Sequence, residues 1–207
     1  MYILILLLAY LLGSIPTSVW VGKIFFGIDV RTHGSGNAGA TNVIRVLGLK
    51  AGIPVLLFDI FKGWAAIQLL DLFNVPLGTE NQIALLRIGL GAMVIAGHVF
   101  PVFAGFRGGK GVATLLGVGI AIFPVAALIT LGIFIIVFIA FRYVSLASIS
   151  AAIAFPLIDI VLLGHREVLP LMILAIAIAI FIPLTHRKNI RRLIHGTEPR
   201  LRFRKTN

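Results

Sequence analysis

VATLLGVGIAIFPVAALITLGIFIIVFIAF, residues 112–141, is a run of 30 residues without one charged side chain. Laid out as a single straight helix it would measure about 45 Å at 1.5 Å per residue. The hydrocarbon core of a bilayer is only about 30 Å thick. Pro124 stands near the middle of the run. A proline has no amide hydrogen and its ring clashes with the carbonyl four residues back, so a helix breaks or kinks there. The run is therefore one tilted span or a hairpin of two short helices. That choice decides on which side of the membrane everything after it lies.

Five further apolar runs surround it, at residues 2–21, 49–73, 83–106, 144–163 and 168–184. Each is close to the ~20 residues that a helical span requires. Of the 207 residues 59% are hydrophobic and 12% charged, where a soluble domain carries about 25% charged. Mean hydropathy is +1.09, so lipid is the main solvent. Backbone polar groups in lipid must be bonded internally, and runs of this length achieve that as helices. No fixed-period repeat or low-complexity linker interrupts the chain, and a single polytopic domain over residues 1–207 is expected, with a short basic tail from about residue 186. The first run starts at Met1 without a basic segment before it and reads as a retained span, not a cleaved signal. The absence of cysteine excludes disulfides and thiol catalysis. A net charge of +11 would point to nucleic acid in a soluble protein. Here the positive residues flank apolar runs, which suits topology and anionic ligands, and no nucleic-acid partner is expected.

Basic residues gather on the cytoplasmic side of a membrane. With residues 112–141 folded as a hairpin there are seven spans and the N-terminus lies outside. Lys23, Arg31, Arg45, Lys50, Arg107, Lys110 and Arg142 then fall inside, together with Arg187, Lys188, Arg191, Arg192, Arg200, Arg202, Arg204 and Lys205 of the tail. Only Arg87 and Arg166 lie near outer span ends. A single span would put either the tail or the earlier basic loops outside. The expected fold is an all-α integral membrane bundle of seven transmembrane helices, N-terminus outside and C-terminus cytoplasmic. Its two short helices are tolerable where other helices surround them or the bilayer thins.

The same parity gathers the polar segments on one face. The first runs from Arg31 to Arg45 and holds Gly34, Ser35, Gly36, Asn37, Gly39, Ala40, Thr41 and Asn42. Glycines allow tight turns with accessible amides, Thr41 and Asn42 add donors, and Arg45 can grip a phosphate with two bonds. Helix is expected from Leu47 onward, so a helix N-terminus can serve the same anion. The alternative is a flexible loop of topology-setting positive residues; the donors beside the glycines favour an anion site. The second segment runs from Gly97 to Thr114, where Arg107 and Lys110 bracket Gly108 and Gly109, and Thr114 is expected to open a helix. His98, inside the interface, reads as a structural hydrogen bonder.

Arg142 and Ser145 form a weaker third cluster: an arginine at a span end usually anchors topology, and Ser145 can cap the following helix. In the fourth, His186, Asn189 and Arg192 are spaced to share a helical face. His186 and Asn189 are assigned to the site, whereas Arg187, Lys188 and Arg191 suit anionic lipid. Asp59 and Lys62, three apart inside a span, can pair on one face; Asp159 reads as structural. Glu198 and Asp29 are the only carboxylates near these clusters, which leaves metal catalysis and carboxylate-dyad hydrolysis without support.

GSGNAGATNVIR, GHVFPVFAGFRGGKGVAT and HRKNIRRLIHGTEP, at residues 34–45, 97–114 and 186–199, resemble the three signatures of the PlsY-type bacterial acyl-phosphate:glycerol-3-phosphate acyltransferases. The resemblance extends over essentially the whole chain. It implies transfer of a fatty acyl group from acyl-phosphate to glycerol 3-phosphate, giving 1-acyl-glycerol 3-phosphate (lysophosphatidic acid) and phosphate in phospholipid biosynthesis, with no cofactor. Carried onto this chain, Ser35, Ala40, Thr41, Arg45, Lys110, Arg142, Ser145, His186 and Asn189 resemble the family's site, with Ser35, His186 and Asn189 at the reacting groups. Gly39, Asn42, Arg107, Gly108 and Gly109 complete the expected substrate-binding loops.

An activated acyl donor needs no covalent enzyme intermediate, and orientation with charge stabilisation can supply much of the acceleration. His186 is either the general base or a positioning group while a substrate phosphate takes the proton; the dearth of carboxylates favours the second. The expected partners are acyl-phosphate, glycerol 3-phosphate and membrane lipid, with the chain working as a monomer. The resemblance places it in the bacterial inner (plasma) membrane, multi-pass, with its site at the cytoplasmic face. Two other classes compete: a transporter of organic phosphates, which would show polar groups at midplane, and a non-catalytic subunit with docking loops.

Overall fold

The computed structural model describes residues 1–76, 78–164 and 168–201. Arg166, Arg202, Arg204 and Lys205 of the charge argument lie outside the described residues. Among the described residues the regular structure is entirely helical. Ten α-helices follow in order: α1 Tyr2–Gly13, α2 Thr17–Phe26, α3 Ala40–Leu47, α4 Leu49–Leu72, α5 Glu80–Val99, α6 Val112–Ile122, α7 Pro124–Phe141, α8 Val144–Pro156, α9 Leu169–Thr185 and α10 Arg187–Ile194.

Residues 112–141 do break at the proline. α6 ends at Ile122, Phe123 leaves helical geometry at φ −130°, ψ 61°, and Pro124 begins α7, the first-turn position where its missing amide hydrogen costs nothing. Among the described residues five helical stretches are long and apolar enough to cross a membrane: Tyr2–Phe26, Leu49–Leu72, Glu80–Ala104, Pro124–Phe141 and Val144–Leu162. A sixth arises if Leu169–Thr185 and Arg187–Ile194, bent by 62°, count as one. α6, with 11 residues, reaches only about 16 Å. The first apolar run is two helices rather than one, interrupted at Ser14 to Pro16. α8 continues into a π-helical turn, Leu157–Leu162, which buries Asp159.

The chain divides into two compact units: one of residues 1–76 and 89–121, the other of 78–88 and 122–201 as far as they are described. The first is assembled by backbones in direct contact. A Cβ on Gly13 would strike the Val94 carbonyl, and one on Gly97 the Tyr10 carbonyl, so α1 and α5 cross with nothing between them. Gly63 and Gly117 do the same for α4 and α6, against the Thr114 and Ile60 carbonyls. In lipid, where apolar surface gains nothing by association, such small-residue contacts supply the packing. Val30, Val43, Ala51 and Val55 form a buried apolar cluster beneath the first glycine-rich segment. In the second unit α8 packs against both α7 and α9. It buries the small side chains Ala147, Ser148, Ala151 and Ala152, and Phe123 meets Phe155 edge-on at 5.3 Å.

Candidate functional site

The first unit carries two glycine-rich loops that are fastened together. The fastener is Arg31, held by Asp29 through Nε at 3.0 Å and Nη2 at 2.7 Å. Its Nη1 crosses to the second loop and donates to the carbonyls of Ala104 at 2.7 Å and Arg107 at 3.3 Å. The Arg31 guanidinium holds the Asp29 carboxyl well below the usual carboxylate range. Arg31, read in the sequence as the edge of a cluster and as one more inside-facing positive residue, is thus the link between the loops.

Asn42 shapes the first loop from inside. It is 1% exposed. Its Oδ1 accepts from the Ser35 amide at 2.8 Å and the Ser35 hydroxyl at 3.0 Å, and its Nδ2 donates to the carbonyls of Val30 at 2.7 Å and His33 at 3.1 Å. The donors that the sequence assigned to a ligand are therefore used by the loop itself, because the side chain points into the core. Gly34 and Gly36, at φ 60° and 71°, take left-handed backbone that favours glycine. The helix after this loop starts at Ala40, not at Leu47 as expected. No side chain caps its N-terminus at Gly39, so the first amides of α3, at Ala40 and Thr41, point out of the helix end where partial positive charge collects. Thr41 and Arg45, four residues apart, lie along one side of α3.

In the second loop the Gly108 and Gly109 amides bond to the carbonyls of Val99 and His98, each at 3.1 Å. Arg107 is exposed, Lys110 half-buried and Gly109 buried. Thr114 does not open α6, which starts at Val112; its side chain is wholly buried.

The second unit organises its polar residues around a carboxylate. Glu198 Oε1 accepts from Ser145 Oγ and Asn189 Nδ2, both at 2.7 Å, and Oε2 accepts from Arg192 Nε at 2.6 Å. Burial pushes the Glu198 pKa up, but the bonds from Asn189, Ser145 and Arg192 together outweigh it and hold the carboxyl below its ordinary range. Ser145 therefore does not cap α8; the helix has no side-chain cap. The segment bearing Glu198 folds back onto the α7–α8 turn. The Leu201 amide donates to the Arg142 carbonyl at 2.9 Å, and the Arg200 guanidinium lies 5.3 Å over the Tyr143 ring. Arg142 itself sits at φ 62°, left-handed backbone that a non-glycine residue seldom adopts and that recurs at functional positions.

His186 is 3% exposed at the bend between α9 and α10. Its Nδ1 lies 2.9 Å from the Ile182 carbonyl and 3.1 Å from Thr185 Oγ1. A carbonyl only accepts, so Nδ1 carries the hydrogen in that contact, and the lone pair of a neutral ring resides on Nε2. Asn189 and Arg192, three apart on α10, both reach Glu198, as their shared face requires. Glu198 escaped the sequence reading because only its isolation as a carboxylate was visible; the signal available was a lone acid among basic residues.

These features define a class: a polytopic helical membrane protein whose apolar helices end in cationic, glycine-rich polar segments. The particular family follows from comparison. The profile of the glycerol-3-phosphate acyltransferases matches residues 3–196, and the chain belongs to that family. It is 47% identical to the glycerol-3-phosphate acyltransferase of Chlorobium phaeobacteroides, over 97% of each chain. It is also 47% identical to that of Chlorobaculum tepidum, over 100% of this chain and 99% of the relative. A crystal structure of PlsY (YgiH), an integral membrane glycerol 3-phosphate acyltransferase in its glycerol 3-phosphate form, superimposes with a TM-score of 0.83 at 39% identity, covering 96% of this chain and 94% of that one. The lysophosphatidic acid form of PlsY gives a TM-score of 0.81 at 38% identity.

Proposed function

We propose that this membrane acyltransferase moves a fatty acyl group from acyl-phosphate to the hydroxyl of glycerol 3-phosphate, releasing lysophosphatidic acid and inorganic phosphate. The observation that carries the reading is the first unit's pair of glycine-rich loops, clamped by Arg31 beside an uncapped helix N-terminus. Such a surface suits phosphate. The solved PlsY relatives are described as glycerol 3-phosphate and lysophosphatidic acid forms, which agrees with that acceptor and product.

In the proposed reaction the acceptor oxygen attacks the acyl carbonyl carbon, the carbon–oxygen bond to phosphate breaks, and the electron pair leaves on phosphate. Arg45, Lys110 and Arg142 neutralise substrate and leaving phosphate, the amides of Gly39, Ala40 and Thr41 hold phosphoryl oxygens, and Arg107, Gly108 and Gly109 complete that binding. Asn42 contributes by holding the loop in shape. Ser35, His186 and Asn189 serve the reacting groups, with Ser145 and Glu198 fixing Asn189. A substrate phosphate takes the hydroxyl proton, and His186 positions the acceptor. The chain works as a monomeric single polytopic domain in the bacterial inner membrane, crossing it seven times with the N-terminus outside. The polar segments and the C-terminal tail face the cytoplasm.

The test is direct. Purified protein in lipid receives labelled glycerol 3-phosphate and one acyl donor: acyl-phosphate, acyl-CoA or an acylated acyl carrier protein. Labelled lysophosphatidic acid is expected with acyl-phosphate alone. Product from either of the other donors, or none from acyl-phosphate with folded protein, overturns the donor assignment.

A further inference from the structure

The charged pair inside α4 has no part in the reaction just described. Asp59 and Lys62 are 2% and 1% exposed, with Nζ 2.8 Å from Oδ1. Charges within a membrane span are expensive, and a buried ion pair is seldom more stabilising than packed apolar residues of similar volume. The pair does, however, hold something. Asp59 Oδ1 is also 3.7 Å from His98 Nδ1, and Lys62 Nζ donates at 3.2 Å to the Ile15 carbonyl at the break between α1 and α2.

The other edge of the His98 ring faces the second loop. A Cβ built on Gly109 would strike His98 Nε2 and come within 2.9 Å of the Ala38 carbonyl. The His98 carbonyl takes the Gly109 amide, so ring and backbone of one residue together seat that glycine. Asp59, Lys62, His98, Ala38 and Gly108 line one small cavity within the first unit, joining the charged pair to both loops.

We propose that Asp59, Lys62 and His98 are positioning residues for the loop from Arg107 to Gly111. The ion pair fixes the His98 ring, and the ring sets the height of Gly109, and with it the Lys110 ammonium and the loop amides. None of the three touches substrate; they act through the loop. The proposal rests on the assignment of that loop to a substrate phosphate. It gives glycine a second reason at residue 109, since any side chain would lift the loop off the ring.

The experiment uses the full-length protein in lipid and four variants: His98→Ala, Gly109→Ala, the two combined, and Asp59→Leu with Lys62→Met, which exchanges the charged pair for apolar residues. Thermal unfolding, kcat and KM for both substrates, and hydrogen exchange over residues 106–111 are measured. Each single variant is expected to raise one KM by about 10- to 100-fold, the scale of an ångström's misplacement. The combined variant should be no worse than the poorer single, because the added methyl enters the space the imidazole left. The charge-free variant should unfold no earlier than the parent, yet show the same KM rise and faster exchange confined to Gly108 and Gly109. Losses that multiply in the combined variant, or a folded charge-free variant with parental kinetics and exchange, would overturn the proposal. If the charge-free variant does not fold, the His98 and Gly109 comparison decides alone. A parent protein inactive with acyl-phosphate would sink the donor assignment, while hydrogen exchange still tests the positioning.

Discussion

Replacing Glu198 by alanine removes the acceptor of three bonds at once. Ser145 and Asn189 are buried, so each bond to the carboxylate counts near the about 1.5–3 kcal/mol typical of a charged acceptor. The Arg192 side chain is 39% exposed, and its pairing adds only about 0–1 kcal/mol. Two of the bonds share Oε1, and water entering the vacancy recovers part of the loss, so the full sum is not reached. The expected cost is about 3–5 kcal/mol, short of the sum of the three bonds. At about 2–4 °C per kcal/mol for a chain of this size, the unfolding temperature should fall by roughly 6–20 °C. Glu198→Gln keeps an acceptor for Ser145 and Asn189 and should cost about 1–2 kcal/mol.

Thermal unfolding of the three proteins at neutral pH measures both losses. The sign of the pH dependence follows from the lowered carboxyl. Its contribution is complete above the ordinary value of 4.5 and disappears as pH drops below that value through the folded one. The parent should therefore lose this increment below pH 4.5, and the glutamine variant should not. An alanine variant that unfolds within about 2 °C of the parent, a shift under 1 kcal/mol, would refute the claim that Glu198 organises this cluster.

Arg45→Ala and Lys110→Ala should each lower kcat/KM by about ten- to more than a hundredfold, the equivalent of one charge-assisted phosphate contact of about 1.5–3 kcal/mol, while the protein is recovered in parental amounts; steady-state kinetics on purified variants decide. For His186→Asn, turnover should fall modestly and KM for glycerol 3-phosphate rise more; normal binding with turnover down by about 10²–10⁴-fold would instead make the imidazole the general base. The chain has no cysteine, so single cysteines at Gly105 and Arg200 report topology cleanly: both should react from the cytoplasmic side of sealed vesicles, and labelling from opposite sides would remove the seven-span arrangement.

Some of this protein is legible from its residues because the causes are local. A long uncharged run must be helical in lipid whatever surrounds it, so the apolar runs announced α4, α9 and α8 together with its π-helical continuation to Leu162, with ends close to those found. Pro124 announced the break before α7, since one missing amide hydrogen acts within a single turn. The interruption at Ser14 to Pro16 is hidden by the high mean hydropathy of Tyr2–Phe26 taken whole, although Pro16 marks the start of α2 much as Pro124 marks that of α7. The glycine-rich segments marked where polar side chains gather. Their spacing could not say which side chains face a ligand and which are used up inside.

That division belongs to tertiary structure. Asn42 looked like a donor for substrate, but the fold turns it inward onto Ser35, Val30 and His33. Ser145 looked like a helix cap, and a carboxylate 53 residues further along the chain claims its hydroxyl instead. Arg31 looked like one more positive residue on the cytoplasmic side, and it proves to tie one glycine-rich loop to another 73 residues away. The sequence by itself determined where the chain is helical, where it breaks and where donors gather, since hydropathy, proline and glycine act within a turn or two. Partner choice was left to the tertiary structure, because a hydrogen bond or ion pair depends on an ångström-scale meeting of distant segments, and no local pattern encodes that distance.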